Sequence, residues 1–230
     1  MIIKDTHSIH QIGDFVVQTL ASLLETTDTI SLALSGGNTP KALFQYWVQH
    51  YKTNSIWHHI QYFWVDERCV LPTYDESNYG VAHSLFFEPM NISHSQIFRM
   101  KGEEYPQKEA LRYHSLLSQT LPHTNGIPQF DCVLLGIGDD GHTASIFPGS
   151  ENLFSIPQYA VAAQNPYNNQ WRITITGPVI NNAKHVMFIA TGESKTKILQ
   201  EIVHPTSIKI PAQLVNPTHG LFTLLTDIKL

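Results

Sequence analysis

The sequence predicts an α/β fold in which a mostly parallel sheet is covered by helices on both faces. Two observations carry that expectation. Short apolar runs end at turns and lead into stretches of helical periodicity, and this order returns along the chain. Apolar residues make up 42% of the 230 and charged residues 14%, enough to fill a core and without the bias that keeps a chain unfolded. No fixed-period repeat, low-complexity tract or linker is visible, so residues 1–230 read as a single domain.

The elements follow in order. Ile9, Ile12, Val16, Leu20 and Leu23 recur every three or four residues, which predicts an amphipathic helix over 9–24. Residues 30–34 (ISLAL) form a buried strand that stops at Ser35-Gly36-Gly37. Thr39 then offers a capping hydroxyl and Pro40 a first helical position, with the helix continuing over 41–50. Further strands are expected over 60–65, 132–136 and 186–191, the last leading into a helix over 194–203. Residues 171–176 (WRITIT) alternate as a strand does. Segments 72–80 and 155–170, rich in Pro, Asn, Ser and Tyr, read as loops over the carboxyl edge of the sheet, where ligands of open α/β sheets bind.

Bulk properties exclude several functions. Fourteen Lys and Arg against nineteen Asp and Glu give a net charge of -5, the wrong sign for a nucleic-acid footprint. An anionic substrate would require those few cations to gather in one cleft. Cys69 and Cys132 are the only cysteines and form no CxxC pair, so neither a disulfide framework nor a thiolate zinc site is expected, and no HExxH spacing offers a metal site. No run of 18 apolar residues suggests a membrane span, and the first residues lack a signal-peptide pattern, so a cytoplasmic protein is expected.

Five motifs cluster at predicted strand ends. Gly36, Gly37, Asn38 and Thr39 would turn free N–H groups towards an anion, although a Gly-Gly pair also fits an ordinary βα turn. In Asp66-Glu67-Arg68 the guanidinium suits a phosphate, and a carboxylate could orient it or meet sugar hydroxyls; a solvated ion pair is the plainer alternative. Gly136, Gly138 and Gly141 spell GxGxxG after a strand, but no acidic strand end follows about 20 residues on, so a dinucleotide site is rejected. The same segment carries His142 at the expected start of a helix, where the dipole would keep it neutral, with Asp139 and Asp140 beside it to orient it. Arg172 opens the WRITIT strand, and Lys195 lies in the turn Gly192-Glu193-Ser194-Lys195 at the same edge.

These pieces, in this order, resemble the 6-phosphogluconolactonase family, a branch of the glucosamine-6-phosphate deaminase superfamily. The resemblance spans SGGNTP, VDERCV with SNY, LLGIGDDGHTASIFPG, WRITIT and GESK. TASIFPG after His142 and DER at 66–68 resemble the lactonase branch rather than the deaminases. Two positions depart from it: the loop before WRITIT has no lysine, and no tryptophan precedes Asp227.

The resemblance implies a three-layer α/β/α sandwich with a Rossmann-like sheet and hydrolysis of 6-phosphogluconolactone in the oxidative pentose phosphate route. It implies no cofactor. His142 is expected as general base on a water, helped by Asp140, with N–H groups of the 136–141 turn meeting the oxyanion. Gly36, Gly37, Asn38, Thr39, Asp66, Arg68, Gly138, Arg172 and Lys195 are the expected substrate and phosphate contacts. The expected partner is a small phosphosugar lactone, with the protein a monomer or small homo-oligomer. A phosphosugar deaminase or isomerase and a non-catalytic phosphosugar sensor are the competing readings.

Overall fold

The computed structural model describes residues 1–205 and 210–230. The chain runs from β1 (Ile2–Asp5) through α1 (Ile9–Leu24) to β2 (Ile30–Leu34), α2 (Asn38–Tyr51) and β3 (Ile60–Trp64). A short strand β4 (Asp66–Arg68) and helix α3 (Asn78–Ala82) follow, the helix passing into a π-turn over His83–Phe87. Helix α4 (Pro106–Thr120) and a ribbon of β5 (His123–Thr124) and β6 (Ile127–Pro128) lead to β7 (Cys132–Leu135). Beyond an irregular stretch come β8 (Ala160–Gln164), β9 (Trp171–Ile175), α5 (Gly177–Asn181), β10 (His185–Ala190), α6 (Thr196–Val203) and β11 (Leu221–Thr226).

The main sheet has six strands in the order β1-β11-β10-β7-β2-β3, all parallel. Every residue of β2, β7 and β10 is buried, so helices cover both faces and the layers are α/β/α. In α1 the Ser8 hydroxyl caps the N-terminus by accepting from Gln11 N–H, and Ile12, Val16 and Leu20 sink one stripe into the core. Each such side chain contributes about 1.5–3 kcal/mol of burial. α4 starts with Pro106 in its first turn and buries Ala110, Tyr113 and Leu117.

A second sheet, antiparallel β4-β9-β8, stands apart from the first. It pairs Arg68 with Arg172 and Asp66 with Thr174. The WRITIT strand therefore belongs to this smaller sheet, whose β4 begins two residues beyond the end of β3.

Four local expectations fail for identifiable reasons. No helix begins at His142; residues 139–149 form turns and an isolated bridge between Thr143 and Ile146. Gly141 and Ala144 take positive φ, 83° and 50°, and Ser145 is drawn away by Thr174 and Asp66, so tertiary contacts override the helical reading. α2 starts at Asn38 with Gly37 as its cap residue at φ 104°, and the Thr39 hydroxyl pairs with Thr191 instead of capping. The segment 155–170 is not wholly loop: β8 lies inside it and pairs with β9. The segment 72–80 already contains the start of α3.

Candidate active site

Strand β2 passes through α2 to β3 on one side, whereas β7 neighbours β10 on the other. The crevice between the carboxyl ends of β2 and β7 is thus the point where strand order reverses, the usual ligand position in such sheets. Ser35 Oγ donates to Leu134 O at 2.7 Å and ties the two strand ends together. Just beyond, Gly36 lies so close to Asn78 that a Cβ would overlap its side-chain amide.

Two adjoining cavities open here. The smaller, about 290 Å³, is lined by Gly36, Gly37, Asp66, Arg68, Gly138, His142 and Arg172 among others. The larger, about 670 Å³, shares Gly36 and Gly37 with it and adds Asn38, Thr39 and Lys195. The structure therefore gathers the residues expected from sequence around one crevice, with Asp140 directly behind His142.

His142 Nδ1 lies 2.6 Å from Asp140 Oδ1, and the His142 N–H donates to the same oxygen at 3.0 Å. Tyr167 donates its hydroxyl to the other oxygen, Oδ2, at 2.6 Å. Burial presses the Asp140 carboxyl upward, but the hydrogen bonds from Tyr167 and His142 and the His142 charge outweigh it, and its pKa falls below the usual value. Because an ionised carboxylate only accepts, Nδ1 carries a proton, which in the neutral imidazole leaves the lone pair on Nε2. That tautomer is set by Asp140, not by a helix dipole, since no helix begins at His142. Phe147 packs against the imidazole, with ring centroids 4.8 Å apart. Gly138 leaves room for both groups: a Cβ there would fall on the imidazole and 2.7 Å from Asp140 Oδ1.

Of the N–H groups of the 136–141 turn expected to meet an oxyanion, those of Gly138 and Gly141 are already engaged. Gly138 N–H is taken by His142 O at 2.8 Å and Gly141 N–H by Gly138 O at 3.0 Å. These bonds shape the loop and leave neither amide to meet an oxyanion.

The cations differ in how far their charge is met. Lys195 donates to Ile137 O at 2.7 Å and to Asp139 Oδ1 at 2.6 Å, so a carboxylate already compensates it. Arg68 donates from Nη1 to the carbonyl of Glu76 at 2.6 Å, and its buried Nε has no partner. Arg172, opposite it in the sheet, also has a buried Nε without a partner. Burial draws the Arg172 pKa down, with Arg68 adding to the fall and Asp66 opposing it. Two like charges held side by side with unspent donors suit an anion between them.

Acidic neighbours hold this wall in place. Asp66 accepts from Ser145 Oγ at 2.6 Å and its carbonyl from Asn78 Nδ2 at 2.8 Å. Glu67, a carboxylate of the motif read as a candidate for meeting sugar hydroxyls, is instead buried at 1% exposure and accepts from Arg68 N–H, Asn78 N–H, Tyr79 N–H and Ser77 Oγ. Burial pushes its carboxyl up to about 7 against the pull of those N–H groups. Sequence reasoning missed Ser145 and Tyr167 as site neighbours, because both arrive through folding of irregular loops. Among the described residues, no group of three or more His, Cys, Asp or Glu is arranged to hold a metal ion, and no helix is long and apolar enough to cross a membrane.

Residues 4–224 match the sequence model of the glucosamine-6-phosphate isomerases/6-phosphogluconolactonase family. The 6-phosphogluconolactonase of Treponema pallidum is 38% identical over 200 residues, covering 87% of this chain and 83% of that protein. Its Haemophilus influenzae counterpart is 37% identical over 211 residues, covering 90% and 89%. Among solved structures, 6-phosphogluconolactonase from Trypanosoma cruzi superposes with a TM-score of 0.84 at 26% identity, covering 98% of this chain and 93% of that one. Fold, site geometry and these similarities agree, and the chain belongs to the glucosamine-6-phosphate isomerase/6-phosphogluconolactonase family.

Proposed function

We propose that this protein is a 6-phosphogluconolactonase that opens 6-phospho-D-glucono-1,5-lactone to 6-phospho-D-gluconate in the pentose phosphate pathway, with His142 as general base. The observation that carries the catalytic part is His142, oriented by Asp140, lining one cavity with Arg68 and Arg172, whose buried Nε atoms have no partner among the described residues.

His142 Nε2 takes a proton from a water, which attacks the lactone carbonyl carbon. As the tetrahedral intermediate collapses, the bond from that carbon to the ring oxygen breaks, and the imidazolium returns the proton to the departing oxygen. Such acid-base help is worth about 10²–10⁴-fold. Asp140 holds the required tautomer and balances the transient imidazolium. The phosphate lies at the Gly36-Gly37 turn where α2 begins, with Arg68 and Arg172 supplying charge from the facing sheet. Lys195, compensated by Asp139, chiefly fixes the turn between β7 and His142, while Asn38 and Thr39 face the larger cavity. Gly138 gives the pair its space and Asp66 positions the loop that follows it.

The proposal extends to a cytoplasmic enzyme acting on a diffusible substrate as a monomer or small homo-oligomer, and not on nucleic acid; the net charge of -5 supports the last point. The test is hydrolysis of freshly generated lactone measured against its spontaneous rate, alongside ammonia release from glucosamine 6-phosphate. Fast hydrolysis without ammonia supports the reading. Ammonia release, or thermal stabilisation by phosphosugars with no turnover, would instead place the chain with the deaminases or make it a sensor.

A further inference from the structure

We propose that Tyr167 is a positioning residue for the Asp140–His142 pair, its phenol locking the carboxylate that orients the imidazole. This role rests on the reading of His142 as general base. Asp140 uses Oδ1 for both bonds to His142, and Tyr167 meets Oδ2 at 2.6 Å. The carboxylate is therefore held at both oxygens, and it cannot turn about its own axis without losing a charge-assisted bond. The phenol reaches it from a different element, the tip between β8 and β9, so the pair is fixed from two directions.

That tip is built to deliver the ring. Tyr167 N–H donates to Asn165 Oδ1 and Asn169 N–H to Asn165 O, both at 2.9 Å. Gln170 N–H donates to Asn168 Oδ1 at 3.1 Å, and Gln170 Nε2 anchors the tip to Glu76 at 2.8 Å. Phe147 contacts the imidazole and also meets Tyr167 edge-on, with centroids 6.4 Å apart. The tyrosine is 69% exposed, so its burial contributes little to folding. Its hydroxyl is directed instead at the one carboxylate that orders the base, and Tyr167 lines the same cavity as His142.

The phenol also acts on the base electrostatically. The charged and titratable groups facing His142 are Asp140 on its own loop, Tyr167 on the hairpin, Asp66 and Arg68 on β4 and Arg172 on β9. Asp139 is turned to Lys195. Removing the phenol hydroxyl leaves Asp140 with denser charge, which stabilises the imidazolium and makes His142 harder to deprotonate.

Tyr167→Phe tests this with steady-state kinetics on the lactone across pH. One hydrogen bond of this kind predicts a fall in kcat of about fivefold, with KM changed less than about twofold. The acidic limb of kcat/KM should move up by about 0.3–0.5 pH unit. The melting temperature should stay at the wild-type value, and Tyr105→Phe, an equally exposed tyrosine outside both cavities, should alter nothing. An unchanged kcat and pH profile would overturn the role. So would a raised KM at constant kcat, which would make Tyr167 a substrate contact. If wild-type protein fails to hydrolyse the lactone, or His142→Ala stays fully active, the reading beneath falls and this role with it, a result distinct from an inert Tyr167→Phe.

Discussion

Gly138→Ala should disable the site without removing any group that takes part in it. Gly138 is absent from the residues of positive φ, so its backbone accepts alanine and the effect is purely steric. The added methyl would stand 2.7 Å from Asp140 Oδ1 and nearer still to Nδ1 and Cε1 of His142. Ordinary contact begins at 3.4 Å, so the imidazole must retreat by about 1 Å or more. A misplacement of that size costs on the order of 100-fold in rate. The overpacked loop should also lose about 1–3 kcal/mol. Steady-state kinetics paired with a thermal melt check both parts, and the two arginines should keep KM near its wild-type value. A Gly138→Ala enzyme with wild-type kcat would show that the geometry of the Asp140–His142 pair does not govern turnover.

Further outcomes follow from the surrounding charges. Arg68→Ala and Arg172→Ala should each raise KM about 10- to 100-fold, the weight of a charge-assisted hydrogen bond, and more than Lys195→Ala does, because Asp139 already compensates Lys195. Equal effects at all three positions, measured by titrating the substrate, would sink that ranking. Glu67 titrates near 7 in the folded protein against an ordinary 4.5, so the stability it contributes is complete below 4.5 and is lost as pH rises through 7. Glu67→Gln imitates the neutral form, and denaturant melts should show its stability rising relative to wild type between those pH values. A constant difference would place the Glu67 titration elsewhere.

The central sheet is legible in the sequence because β2, β3, β7 and β10 are mostly apolar runs, interrupted only by Ser31, Gln61 and His185, the mark of strands largely buried on both faces. The edge is not: all four residues of β1 are exposed, so no burial pattern announces it. β11 is buried over its last four residues, but two of these are threonines, Thr223 and Thr226, and only Leu224 and Leu225 between them are apolar; α4 carries a stripe of Ala110, Tyr113 and Leu117 that adjoins none of the five motifs. GxGxxG misled the reading of 139–149. Its glycines suit a helix-opening turn, but here one serves a positive φ and another makes room for His142. The identities of His142, Asp140, Arg68 and Arg172 as site residues came from their order along the chain and the resemblance that order carries. The hydroxyl of Tyr167 and that of Ser145 came from loop geometry, which no spacing encodes. Glu67 shows the converse: a charged residue in a motif reads as a ligand contact, while three of its four donors, from Ser77, Asn78 and Tyr79, make it a buried cap for the start of α3.

The most direct test of the central claim is kcat for the freshly generated lactone with wild-type protein and with His142→Ala, each corrected for spontaneous opening. The account predicts a loss of about 10²–10⁴-fold in kcat with little change in KM, since His142 acts on the attacking water and not on the phosphate. A His142→Ala protein that turns over at the wild-type rate would contradict it.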